Sequence, residues 1–191
     1  MLPNIDFLEI KNSLSSFPWR AHLQVTEIPA PRGVADDACA VEADVVSNLN
    51  IIGDGRLVLL YDAAGNDMWR NKLRCVAFIR ADIDMDIAAD PLLPDVGWTW
   101  LTECLNNHNA DFHSESGTVT VTASRSHGGR RNVDEASIEI RASWSPNISA
   151  SHGIISHFMA WQDLLCLAAG LPPIPAGIDF IGAPLAARRY R

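Results

Sequence analysis

The stretch Lys72–Asp84, KLRCVAFIRADID, decides the fold. Leu73, Cys75, Ala77, Ile79 and Ala81 alternate with Arg74, Val76, Phe78, Arg80 and Asp82. A period of two is what a β-strand sorts onto opposite faces. One face is uniformly apolar, and the other mixes arginine, aspartate and two apolar side chains. Such a strand belongs to a sheet with one face on a core.

The neighbouring segments read the same way. AHLQVTEI (21–28), CAVEADVV (39–46) and RLVLLYD (56–62) precede it as strand-like runs, and GTVTVTAS (117–124) and ASIEIRASW (136–144) follow. Val119, Val121 and Ala123 oppose Thr118, Thr120 and Thr122, while Ile138, Ile140 and Ala142 oppose Ser137, Glu139 and Arg141. IPAPRG, IIGDG, DAAGND and RSHGGRRN hold the residues of turns and divide the runs. Three segments have helical spacing: residues 4–17, ending at Pro18, about 95–107 after DPLLPDVG, and about 154–169. Gly170 and LPPIP stop the last one. The expected class is α+β, an antiparallel sheet of about six strands with flanking helices in the order α-β-βββ-α-ββ-α. One domain over 1–172 and a Pro/Gly-punctuated arm over 173–191 follow. The later part also reads as a weak repeat of strand then helix, in which Arg80 and Arg141 share one offset with Trp100 and Trp161.

Composition narrows the function classes. At 191 residues and 48% hydrophobic, the chain has a core large enough to need neither disulfide nor metal. A net charge of -8 disfavours a general affinity for nucleic acid or anionic membranes, because both need clustered positive charge. The N-terminal residues lack the basic and apolar regions of a signal peptide, and no apolar run is long enough to span a bilayer. Cys39, Cys75, Cys104 and Cys166 lie in apolar patterns without a C-x-x-C pair, so they read as small buried hydrophobes of a cytoplasmic protein.

The tryptophans of the middle helix raise the question of assembly. On a wheel of 100° per residue, Trp98 lies at one edge of an arc with Leu101 and Leu105, and Trp100 lies beyond the other edge, near Cys104. The last helix is apolar nearly all round, with Phe158, Met159 and Trp161 among its side chains. A helix of that kind is covered on two sides. One side is the sheet; the other is a second helix, the C-terminal tail or another copy of the chain. Trp100, Trp161, Phe158 and Met159 are the expected subunit interface of a homodimer.

ADPLLPDVGWTWL, LVLLYDAAGNDMWRNKLRCVAFIRADI, SGTVT, ASIEIRASW and LLCLAAGLPPIP together resemble an actinobacterial family catalogued as domain of unknown function three-thousand. The likeness runs from about Arg20 to Pro175. It implies a cytosolic bacterial protein and supplies no catalytic residues.

The residues themselves offer few chemical constellations. Cys104 and His108 are one helical turn apart and His113 follows, with His152 and His157 similarly spaced, yet no fourth ligand is apparent. No metal and no cofactor are expected. Neither a nucleophile elbow nor a phosphate-binding glycine fingerprint is present. The loop at 126–131 offers His127 and Arg130 beside two glycines, which can hold an anion or form an ordinary solvated hairpin. The most distinctive surface is the outer sheet face, where Arg74, Arg80, Arg141 and Glu139 stand beside Phe78. These residues point to a non-catalytic homodimeric protein-binding or adaptor module. The alternative is a small-molecule (anionic ligand) binding protein or enzyme using the arginines and the His127 loop. A deep convergent pocket would favour the second, and a broad shallow groove the first. The order of elements is also similar to that of small acidic secretion chaperones, which are dimeric, an analogy of fold alone.

Overall fold

A computed structural model describes residues 5–128 and 134–171. Arg130 and the 173–191 arm lie outside them. Helix α1 (Phe7–Ser16) leads into strands β1 (Leu23–Ile28), β2 (Asp37–Ser47), β3 (Asn50–Asn66) and β4 (Asn71–Asp82). A single turn α2 (Met85–Ala88) and the helix α3 (Leu93–Asn107) follow, then β5 (Phe112–Ser124), β6 (Glu135–Pro146), a 3-10 turn over Ser151–Ile154 and α4 (Ile155–Ala168). The strands form one antiparallel sheet in the order β1-β2-β3-β4-β6-β5. This is the expected α+β class, an open six-stranded sheet with flanking helices.

Local chemistry sets the helix ends. The Asp6 carboxylate accepts the Leu8 N–H and caps α1. Pro94 sits in the first turn of α3, where its missing N–H costs nothing. Asn109, in the left-handed region at φ 51°, turns the chain out of α3, and Gly170 does so after α4 at φ 75°.

Sequence alternation and burial coincide in β4. Leu73, Cys75, Ala77, Ile79 and Ala81 are buried beneath the helical layer, with Ile138, Ile140, Ala142 and Trp144 of β6 beside them. One turn assignment is corrected. IIGDG (51–55) is the first part of the seventeen-residue strand β3, not a turn between strands. Its glycines serve close approach. A Cβ on Gly55 would stand 3.2 Å from Leu165 and one on Gly53 3.3 Å from the Ala169 Cβ, so α4 lies directly on the β3 backbone. DAAGND likewise begins inside β3, and the reversal falls at 67–70.

The repeat has a geometric counterpart. Each hairpin, β3–β4 and β5–β6, is followed by its helix, α3 and α4, and the two meet antiparallel through β4 and β6. Ile79 stands opposite Ile140. That pair has the same separation along the chain as Arg80 and Arg141, and as Trp100 and Trp161.

The second cover of α4 comes from the helix α3 and from the segment after α1. Phe17 meets Phe158 edge-on with centroids 5.6 Å apart, and Trp19 meets Trp161 at 5.5 Å. Phe158 and Trp161 are therefore wholly interior, at 0% exposure, and do not form a free subunit surface. The expectation that both lie at an interface is corrected: apolar helical periodicity demands cover, and the chain supplies it from α3 and from its own N-terminal region. Met159, on the opposite side of α4, remains exposed.

Candidate functional site

The sheet face that none of the described helices covers carries the candidate site. β4, β6 and β5 run side by side, so their outward side chains form rows across the strands. Phe78 stands opposite Arg141, and Arg141 opposite Thr118; Arg80 stands opposite Glu139, and Glu139 opposite Thr120. Arg141 lies over the Phe78 ring with 5.7 Å from the guanidinium carbon to the ring centre, and its Nη2 donates to Glu139 Oε1 at 2.7 Å. That guanidinium is thus held by an aromatic and a carboxylate.

Beside this row lies an open, shallow groove of about 420 Å³, lined by Val76, Phe78, Ser116, Thr118, Arg141 and Ser143. Gly117, in its floor, has no side chain on the helical side, and Trp98 of α3 takes that space, with 2.7 Å separating the indole from where a Cβ would stand. Trp98 thus keeps to the sheet, as its place on the helix wheel requires. Trp100 is half-buried and packs against the core.

Arg74 lies on this face as expected but is not available to a ligand. Its Nη1 donates to the Ser114 carbonyl at 2.8 Å and to Ser145 Oγ at 3.1 Å; its Nη2 donates to Ser143 Oγ at 2.6 Å and Ser116 Oγ at 3.2 Å. The residue is buried, and desolvation lowers its pKa from the ordinary guanidinium value. Its expected role as a partner-binding arginine is corrected to a structural one: it ties β4 to β6 and to the bulge of β5. The serines that hold it were missed as functional residues. Their signal was present, since Ser143 and Ser145 occupy successive outward positions of the strand.

Arg80 stays exposed on the face. Its surroundings are acidic: Asp54 and Glu139 face it across the strands. A polar hollow of about 500 Å³ at this end is lined by Arg80, Asp82, Thr122, Asp134, Glu135 and Ser137. Three carboxylates to one guanidinium repel an anion. Burial raises the Asp54 pKa, while Arg80 opposes the shift and Asp44 adds to it. His127 is exposed in the β5–β6 loop and does not line the groove.

The metal-ligand suspects disperse. His108 Nε2 meets Asp163 Oδ2 at 2.6 Å, and Arg20 Nη1 meets Asp163 Oδ1 at 3.4 Å, so this trio pins α3 and the N-terminal segment to α4. His113 Nδ1 shares a hydrogen bond with Ser114 Oγ at 3.0 Å, and its other nitrogen faces the Asn71 amide at 3.4 Å. An amide in that place orients the ring without stabilising its charge, unlike the carboxylate of a catalytic triad. His157 is buried against Trp144. Among the described residues, no three His, Cys, Asp or Glu side chains converge as a metal site would need. Burial pushes the thiols up, to about 12 for Cys39 and Cys104 and about 11 for Cys166. These thiols stay protonated at neutral pH and are poor nucleophiles. Among the described residues, no helix is long and apolar enough to cross a membrane.

A family model described as a protein of unknown function (DUF3000) matches residues 3–178. No curated protein and no solved structure matches the chain.

Proposed function

We propose, for a chain that belongs to the DUF3000 family of proteins of unknown function, that it acts as a homodimeric, non-catalytic protein-binding or adaptor module of the cytoplasm. The observation that carries this reading is the shape of the uncovered sheet face. Its groove is broad and shallow, apolar along Val76 and Phe78 and edged by Arg141, Ser116 and Thr118. Small-molecule sites enclose most of their ligand. A shallow trough of apolar floor and polar rim suits a polypeptide laid across it, and an aromatic with an arginine above it is the pairing enriched at protein interfaces. Free thiols at all four cysteines support a reducing compartment.

The anionic-ligand alternative has less support. Arg74 is consumed by serines, and Arg80 stands among carboxylates. The test is a photo-reactive amino acid at Val76, with one at the exposed Leu49 as control, followed by mass spectrometry of the adducts formed in the cell of origin. Protein adducts specific to Val76, lost in Phe78→Glu, support the reading. A thermal shift by millimolar phosphate that vanishes in Arg141→Ala, with no adduct at Val76, would replace it by the small-ligand reading.

A further inference from the structure

The two edges of the sheet are unalike. β1 spans six residues, contains Glu27 and is followed at once by Pro29 and Pro31. Short length, charge and proline are the usual means of keeping an edge from pairing. β5 spans thirteen residues, and its stretch from Ser116 to Ser124 contains no charge and no proline. That stretch runs in unbroken register along β6, because the bulge lies before it, between His113 and Ser116. Among the described residues its other edge has no strand partner. A regular, uncharged edge is a template for another strand.

The stretch is also nearly symmetric about Thr120. Thr118 mirrors Thr122, Val119 mirrors Val121, Gly117 mirrors Ala123 and Ser116 mirrors Ser124. One step further out, Glu115 mirrors Arg125. In an antiparallel pair, mirrored positions of two copies stand opposite each other.

We propose that β5 pairs antiparallel with β5 of a second copy across a twofold axis at Thr120, joining two six-stranded sheets into one continuous sheet of twice the width. This rests on the homodimer part of the reading above and moves the contact from α4 to the sheet edge. Threonine meets threonine on the exposed outer face, and valine meets valine on the helical side, where Val119 packs on α3 at Gly97. Glu115, at the bulge just before this register, and Arg125, just past Ser124, bring opposite charges of the two copies together at both ends. A slip of one residue puts valine opposite threonine and the two helical layers on opposite sides. A shift of the axis to Val119 or Val121 keeps the faces but sets Glu115 or Arg125 against uncharged or unlike partners. Only the axis at Thr120 satisfies side-chain type and charge together. The groove beside β5 is thereby doubled on one broad face.

The full-length chain tests this directly. Thr120 is exposed, so Thr120→Lys leaves the fold intact and sets two ammonium groups against each other on the axis. Sedimentation at about tens of micromolar, where a specific interface persists, is expected to give a dimer mass for the parent and half that mass for Thr120→Lys, with unchanged far-ultraviolet circular dichroism. Facing residues of an antiparallel pair have Cα atoms about 4.5–5.5 Å apart, within disulfide reach. Mild oxidation is therefore expected to link Thr120→Cys chains, to leave Thr118→Cys chains unlinked, and to link the Thr118→Cys/Thr122→Cys double variant. A parent dimer that survives Thr120→Lys and gives no Thr120→Cys link overturns β5 pairing while leaving the homodimer reading standing. A monomeric parent overturns both.

Discussion

His157 makes the stability of this protein depend on acid. The imidazole is fully buried, and its Nδ1 accepts the Trp144 indole N–H at 3.1 Å. That bond fixes the tautomer: Nδ1 must be bare, so Nε2 carries the proton, and Nε2 has no partner among the described residues. Protonation would set two N–H groups against each other at Nδ1 and leave a buried cation. Burial accordingly lowers the His157 pKa from 6.5 to about 4, with Asp111 opposing the shift. The unfolded chain, titrating near 6.5, binds the proton first. Stability from this group is whole above pH 6.5 and falls as the pH drops toward about 4. The full loss is about 3 kcal/mol, at about 1.4 kcal/mol for each tenfold difference in proton affinity, and at about pH 5 it has reached about 2 kcal/mol. The assay is urea unfolding at about pH 7.5 and about pH 5 for the parent and for His157→Asn, whose amide oxygen can still accept from Trp144. The variant should be weaker at the higher pH by about 1–2 kcal/mol for its smaller volume, yet lose about 2 kcal/mol less than the parent on acidification. Comparing the two cancels every other titrating group. Parallel losses in parent and variant, or a His157 ring resonance titrating near pH 6.5, would refute the reasoning.

Other substitutions separate the roles of neighbouring side chains. Trp161→Ala should cost about 3–5 kcal/mol by leaving a cavity against Trp19 and Phe158, a loss readable in chemical unfolding. Gly55→Val should lower the melting temperature by more than Gly33→Ala, because its side chain meets Leu165 and the Phe78 carbonyl while Gly33 faces open space. Arg74→Met should cost about 1–3 kcal/mol by stranding the Ser114 carbonyl and the serine hydroxyls, a loss readable in urea unfolding. Thiol titration of the native protein at neutral pH should find Cys75 and Cys166 unreactive until denaturant is added, since both are buried.

Periodicity is a local property, and it carried the elements. The alternation of Leu73–Asp82 and the threonine–valine alternation of 117–123 define strands whichever strands lie beside them. The wheel of α3 likewise puts Trp98 and Trp100 on different sides whatever their neighbours. Pairing and cover are not local. That β6 lies between β4 and β5 depends on contacts between residues such as Ile79 and Ile140, which no short pattern records. A glycine reads alike whether it turns the chain or lets another backbone come close, so IIGDG has the pattern of a turn although α4 rests on it. Arg74 reads as a surface arginine because alternation assigns its face and says nothing about what closes over it; four acceptors from β5 and β6 do that. Phe158 and Trp161 announced that α4 needed a second cover. That the cover includes Phe17 and Trp19, from the far end of the chain, was decided by packing, because apolar contact is non-directional and any large apolar side chain the fold delivers can provide it.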